Sequence, residues 1–342
     1  MASSAEKSTI VRSKRPGPQQ RQTARLRRVF GVLERVAPRL AVRAAWNLWS
    51  QPTRPDSLAV ARSREGGTGE VRKVRIELPD WTGRRPTGRD GTPKPPQTTD
   101  IAVELLGPRH GPVVYLLHGW SGWRGQLAPI GRALAASGYR AVLIDAPNHG
   151  DSGPGGMGPK HGLLPDFSLA LEAIAREFGP AHAVVGHSLG GACSAIAVLD
   201  GVKADRAVFL ASPVDPVTYT RTMAGMLGFS ERTRARMVAD SERRIGISLT
   251  TYVLPPLLAG RTDLPPALIV HDRDDPVVPL DTGRTLAKAW PGARFIETSG
   301  LGHNRILRDD AVVATVAEFI MGTGVDSAER QGCGVNGAAA AG

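Results

Sequence analysis

Cysteine is almost missing from this chain: 342 residues contain two, Cys193 and Cys333. Two cannot build a disulfide framework, and they form neither a Cys-x-x-Cys pair nor a His-flanked cluster of zinc-site spacing, so no metal is expected and a reducing compartment fits best. Long apolar runs are also missing. None approaches the roughly 18 residues that a bilayer-spanning helix needs, and the N-terminus has cations without the apolar stretch of a secretory signal. The expected location is cytoplasmic, with peripheral membrane contact as the alternative. Acids are the third shortage, with 32 Asp and Glu against 43 Lys and Arg, a net charge of +11. Residues 1–28 hold eight cations and one acid, which leaves only +4 for the rest. The basic excess therefore belongs mainly to an N-terminal arm, which lacks the interleaved aromatics and motifs of a nucleic-acid module, so no specific nucleic acid is expected as a partner.

Residues 1–28 hold too little apolar surface to offset their ordering entropy and read as a disordered basic arm. Residues 29–70 read as an N-terminal helical segment. Leu26, Val29, Phe30, Leu33 and Val36, then Leu40, Ala41, Ala44, Ala45 and Leu48, recur at steps of three and four, and Pro38 should divide them into two helices. Trp46 and Trp49 beside arginines fit either a membrane-surface helix or docking against the rest of the chain, and docking is the simpler expectation.

A larger domain is expected over 71–322. Val74, Ile76 and Leu78 alternate as a half-buried strand, and 101–106 supplies a second, joined to it by a Pro-, Gly- and Thr-rich loop over 80–99 that should be mobile. Beyond it the pattern changes. Short continuous apolar runs at 113–117, 141–144, 183–185, 207–210 and 267–270 alternate with helical stretches at 124–137, 167–178 and 188–200, as strands buried on both faces of a parallel sheet do. A helix at 281–290, a strand at 294–298 and a helix at 309–321 follow. Residues 213–263 interrupt the rhythm with a helical insertion carrying Arg232, Arg234, Arg236, Arg243 and Arg244, placed to cap the edge where open α/β sheets bind ligands. Residues 323–342 form an Ala- and Gly-rich tail and are expected to be disordered.

Chemistry concentrates at Gly186-His187-Ser188-Leu189-Gly190, a Gly-x-Ser-x-Gly turn between an apolar run and a small-residue helix. That context is what a nucleophile elbow requires. A serine hydroxyl needs a base within hydrogen-bond reach and a carboxylate to fix the base's tautomer. Downstream of Ser188 the only histidines are His271, at the end of a buried-type strand, and His303, in a flexible Ser-Gly-Leu-Gly-His loop after the last strand. The loop position suits a mobile base. Cys193 reads as a small buried residue.

Taken in order, these motifs resemble the α/β-hydrolase superfamily on its esterase- and lipase-like side, over roughly residues 112–321. His118-Gly119-Trp120 resembles an oxyanion loop, the Asp-Ala-Pro-Asn-His-Gly-Asp-Ser run at 145–152 resembles the D-x-P-x-H-G-x-S loop, and His-Asp-Arg-Asp-Asp-Pro-Val-Val-Pro at 271–279 resembles the acid loop written HGxxDxxVP. The resemblance implies an α/β fold with a mostly parallel central sheet, helices on both faces and a helical cap. It makes Asp275 the acid by register, with Asp274 its neighbour and Asp215 the position that some relatives use. Asp272 stands where the motif usually has glycine. Ser188, Asp275 and His303 then imply acyl transfer to water without metal or organic cofactor, on a small-molecule ester. The backbone N–H groups of Trp120 and Leu189 would hold the oxyanion, and His118 and His149 would brace loops, while His187 would pack. Dehalogenases and epoxide hydrolases of the same fold carry Asp at the elbow apex, where this chain has Ser188. Trp123, Met223 and Met226, with Leu227 and Phe229, are the expected contacts for an apolar substrate. Two rivals remain: a membrane-associated, lipase-like hydrolase, and a binding protein that kept the fold without catalysis.

Overall fold

Alternate residues of the central strands face opposite layers. Tyr115, Leu117, Val142, Ile144, Val184, Phe209 and Ile269 pack into one apolar cluster, while Val114, Leu116, Leu143, Val185, Val208 and Leu268 pack into another. Both faces are covered, so the strands read as unbroken apolar runs instead of alternating ones. The computed structural model describes residues 18–53, 69–79 and 97–323. Helices α1 (Pro18–Val36) and α2 (Pro38–Ser50) precede strands β1 (Glu70–Leu78), β2 (Gln97–Leu106) and β3 (Val113–Leu117). A short 3₁₀ turn (Arg124–Leu127) leads into α3 (Ala128–Ala136), followed by β4 (Arg140–Ile144), α4 (Leu164–Phe178), β5 (Ala181–His187), α5 (Leu189–Leu199) and β6 (Ala204–Leu210). Next come α6 (Pro216–Leu227), α7 (Glu231–Ile245), a 3₁₀ turn (Leu249–Tyr252) and α8 (Leu254–Leu258). The chain then returns through β7 (Ala267–Asp272), α9 (Leu280–Ala289), β8 (Arg294–Thr298), α10 (Gly302–Arg305) and α11 (Asp310–Met321).

One eight-stranded sheet runs in the order β1-β2-β4-β3-β5-β6-β7-β8. Strands β3 to β8 are mutually parallel, and β1 and β2 form an antiparallel hairpin on the edge, with Leu78 opposite Gln97 and Glu70 opposite Leu105. The α/β architecture is thus the expected one. Helices α4, α5 and α9 cover one face and α3 and α11 the other. From β3 the chain steps to β4 on one side, then returns to β5 on the other. The loops after β3 and β5 therefore meet at a switch point on the C-terminal edge, where open α/β sheets leave a crevice.

Helix α6 is capped by Asp215, whose carboxylate accepts from the backbone of Val217 and Thr218, and α7 by Ser230, which accepts from Thr233. Both pack against the N-terminal helices. Phe30, Ala41, Val42, Ala45 and Trp46 share a cluster with Ala224, Phe229, Met237 and Ile245. Docking, not an outward tryptophan face, is thus what the Trp46 helix does. The break falls at Ala37, as Pro38 requires. Composition placed an arm without structure over 1–28, yet α1 already begins at Pro18. The Arg27 guanidinium donates to the carbonyls of Gly225 (2.6 Å) and Met226 (3.1 Å), the exposed end of α6. A cation at a helix C-terminus satisfies orphan carbonyls, an anchoring role that a count of charges does not register. Residues 1–17 lie outside the described residues. So do nearly all of the loop expected over 80–99, whose last three residues belong to β2, and nearly all of the tail expected over 323–342. Among the described residues no helix is long and apolar enough to cross a membrane.

Candidate active site

Four non-glycine residues have left-handed backbone among the described residues: Ser121 (φ 57°), Asn148 (φ 64°), Ser188 (φ 51°) and Ala211 (φ 50°). Each follows one of the four adjacent strands β3, β4, β5 and β6, so backbone strain gathers along the C-terminal edge of the sheet. Such strain persists only where the surroundings enforce it, and it clusters at functional sites. Ser188 is held there by its N–H on the Leu210 carbonyl (2.8 Å) and by its own carbonyl, which accepts from Gly191 and Ala192 as α5 begins. Close approach enforces the turn. A Cβ at Gly190 would lie 2.2 Å from the His118 carbonyl oxygen, and one at Gly119 would lie 2.8 Å from Ser188 Cβ. The loop after β3 is therefore pressed directly against the serine.

Among the described residues, the backbone N–H groups of Leu189 and Trp120 have no protein acceptor. The loop that carries Trp120 is braced from below. His118 is fully buried; its Nε2 accepts from Ala146 N–H (3.1 Å), so Nδ1 carries the proton and donates to the Gly119 carbonyl (2.7 Å). His149 accepts from Ser121 N–H at Nε2 (3.1 Å) and donates through Nδ1 to the Pro147 carbonyl (2.9 Å). Burial pushes the His118 ring down to about 4 and the His149 ring to about 3, so both are neutral acceptors at ordinary pH. Asp145 ties the same loop to its neighbour. It accepts from the Arg124 backbone N–H (2.6 Å) and guanidinium, and Arg124 also donates to Asp151 (2.9 Å).

His303 lies in α10, just past β8, and its Nδ1 is 2.7 Å from Asp275 Oδ2. The Asp275 side chain is shielded from solvent. Burial raises its pKa, but the hydrogen bond and charge of His303 and the N–H groups of Val277 and Val278 outweigh that, and the carboxyl lies below its ordinary value. The other candidates are committed elsewhere. Asp274 accepts from Gly300 N–H (2.8 Å), Asp215 caps α6, and His271 is buried with Nε2–H on the Val278 carbonyl (2.9 Å). Asp272, the departure from the usual glycine, accepts from Leu301 N–H (3.0 Å) and Thr298 Oγ1 (2.7 Å) and so braces the loop that leads to His303. His187 does more than pack. Its Nε2–H donates to the His303 carbonyl (2.9 Å), with ring centroids 4.8 Å apart.

Over Ser188 lies an apolar cavity of about 170 Å³. Trp120, Leu189, Met223, Ile245 and Tyr252 line it, together with Leu48 and Trp49 of α2. Trp123 and Met226 do not belong to it. Between Trp120 and Trp123 the chain turns through left-handed Ser121, which leaves Trp123 buried at the start of the 3₁₀ turn. Met226 occupies the last turn of α6, outside the cavity lining, and is 56% exposed. Leu227 and Phe229 pack against the N-terminal helices. Sequence reasoning missed Leu48 and Trp49, whose only signal was membership in an amphipathic helix far from the motifs. It also missed Thr53, whose N–H donates to Ser121 Oγ (2.9 Å) and fastens the end of the N-terminal segment to the loop of Trp120. Among the described residues no group of three or more potential metal ligands occurs.

A model of the alpha/beta hydrolase family matches residues 113–315. No curated protein matches the chain significantly by sequence. Among solved structures, a candidate lipase from Acinetobacter baumannii AYE is 14% identical, with a TM-score of 0.55 over 79% of this chain and 98% of that one. A protein of Mycobacterium tuberculosis is 17% identical, with a TM-score of 0.52 over 73% and 99%. A thermophilic esterase from Thermogutta terrifontis is 16% identical, with a TM-score of 0.50 over 74% and 99%. At these identities the likeness concerns the fold.

Proposed function

The chain belongs to the alpha/beta hydrolase family, whose model spans residues 113–315, and on that footing we propose that it is a serine hydrolase cleaving a carboxylic ester or thioester of a small apolar substrate. The observation that carries this assignment is the His303 Nδ1–Asp275 bond of 2.7 Å on the sheet edge that also bears the strained Ser188. Asp275 fixes the tautomer that leaves His303 Nε2 free to act as base. Nε2 takes the hydroxyl proton as Ser188 Oγ attacks the carbonyl carbon, and the oxyanion that forms accepts hydrogen bonds from Leu189 and Trp120 N–H. His303 returns the proton to the leaving alkoxide or thiolate as that bond breaks, and Ser188 is left acylated. Water then gives a proton to His303, attacks the acyl carbon, and releases the acid as Oγ regains its proton. The cavity lined by Trp49, Trp120, Met223 and Tyr252 suits the apolar part of the substrate.

Labelling by a fluorophosphonate probe and turnover of nitrophenyl esters over a series of acyl lengths test the assignment together. Ser188→Ala is expected to abolish labelling and to lower kcat by at least about 10⁴-fold while leaving the thermal transition in place. An unlabelled, inactive wild-type chain would favour the binding-protein reading, and full activity in Ser188→Ala would remove the mechanism.

A further inference from the structure

Val29, Val32 and Val36 recur at one-face spacing along α1, and Leu40 follows in α2; all four are exposed, from 44% to 73%. With Leu48, these two helices carry five of the nine large apolar side chains exposed among the described residues. The opposite face of the pair, with Phe30, Val42 and Trp46, is already buried against α6 and α7. The outer stripe is therefore surplus to folding.

Its polar neighbours are of one sign. Arg25, Arg28, Arg35, Arg39 and Arg43 are all exposed, and none pairs with a carboxylate among the described residues. Glu34, the single acid of α1 and α2, is occupied by the backbone N–H and hydroxyl of Ser230 (2.7 Å each). Valines and a leucine interleaved with unopposed arginines complement a surface that is anionic outside and apolar just beneath. A folded acidic protein would match this face only where an apolar groove lies beside its charge. Nucleic acid offers charge and stackable bases, but the two tryptophans of these helices face inward, Trp46 onto the cap and Trp49 into the cavity.

We propose that the outer face of α1 and α2 is a docking surface for an anionic lipid bilayer. Leu48 both lines the cavity and is 40% exposed, so it forms part of the wall between cavity and surface, and docking brings that wall to the bilayer. Binding is reversible, since one amphipathic face with a basic border gives marginal affinity. The proposal does not rest on ester hydrolysis; a chain inactive on esters would still dock.

The test is co-sedimentation of the full chain with phosphatidylglycerol vesicles and with phosphatidylcholine vesicles. The variants are Val32→Gln/Val36→Gln, which removes apolar surface and keeps the charge, and Arg28→Gln/Arg35→Gln, which keeps the valines. None of these residues lines the cavity or belongs to a buried cluster, so an unchanged thermal transition reports that each variant is folded. The wild type is expected to sediment with the anionic vesicles only, and each double variant to lose at least about tenfold in partition coefficient. Wild-type binding by the valine variant would mean plain charge attraction and overturn the proposal. Equal binding to both vesicle types, or binding to duplex DNA with none to vesicles, would overturn it as well.

Discussion

His303 is held by three groups that fix different things. Asp275 sets its tautomer, His187 Nε2–H holds its carbonyl at 2.9 Å, and Asp272 holds the Leu301 N–H that precedes it at 3.0 Å. Burial pushes the His187 ring down to about 3, so it remains a neutral donor throughout the working range. One neutral hydrogen bond contributes about 0.5–1.5 kcal/mol, and if His303 is the base as proposed, its loss should show as geometry more than as binding. His187→Leu is therefore expected to lower kcat about three- to tenfold with KM little changed, and His187→Gln, which can present an N–H near the same place, to recover most of it. Steady-state kinetics on one soluble ester decides this; a change confined to KM would show that His187 shapes the cavity instead. Ser188, Asp275 and His303 stood out in the sequence as the proposed set because each sits in a short contiguous motif whose spacing is set by a turn. The partners of His187 and Asp272 lie 116 and 29 residues away, so contacts of that range left no local trace. Trp123 and Met226 were misread for the converse reason: spacing places a residue near a site, but backbone turns and helix ends decide where its side chain goes.

The roof of the cavity is assembled from two separate stretches of chain. Helices α6 and α7, with the 3₁₀ turn after them, supply Tyr219, Met223, Ile245, Leu249 and Tyr252, while α2 supplies Leu48 and Trp49. Glu34 on Ser230 and Arg27 on the end of α6 clamp the two together, and Trp49 meets the Tyr219 ring at 6.1 Å. The insertion between β6 and β7 was legible as helical because it breaks a regular β-α rhythm. The N-terminal contribution was not, since an amphipathic helix declares that it has a buried face without declaring what buries it. Because Trp49 is a large wall residue, Trp49→Ala should lengthen the cavity. Across a homologous acyl series the preferred ester is expected to move to longer chains, with kcat/KM for short esters changed less than for long ones, at about 1–3 kcal/mol per methylene accommodated. An unaltered chain-length profile would mean that the acyl group does not occupy this part of the cavity.

At the scale of the whole molecule, the loops along the C-terminal edge of the sheet are knit by neutral buried imidazoles, and this makes the fold sensitive to acid. Burial holds His118 at about 4 and His149 and His187 at about 3, against 6.5 for an unhindered ring. Each folded pKa is depressed, so the unfolded chain takes up protons first as pH falls. The stability contribution is complete above pH 6.5 and declines below it, by about 1.4 kcal/mol per pH unit for each ring. By pH 5 the three together remove at most about 6 kcal/mol, a large share of the roughly 5–15 kcal/mol that stabilises a typical domain. Glu172 and Asp145, whose carboxyl pKa values burial raises, work in the opposite direction, while His161 and His271, both lowered by burial, add to the loss. Asp275 and Asp272, both below the ordinary carboxylate value, add their own loss only at lower pH. Thermal melting is therefore expected to fall by about 10 °C or more between pH 7.5 and pH 5. A melting temperature that stays level across that interval would show that the three rings can be protonated without breaking the hydrogen bonds they accept or the packing that shields them, and the loops of that edge would then have to be held by something else.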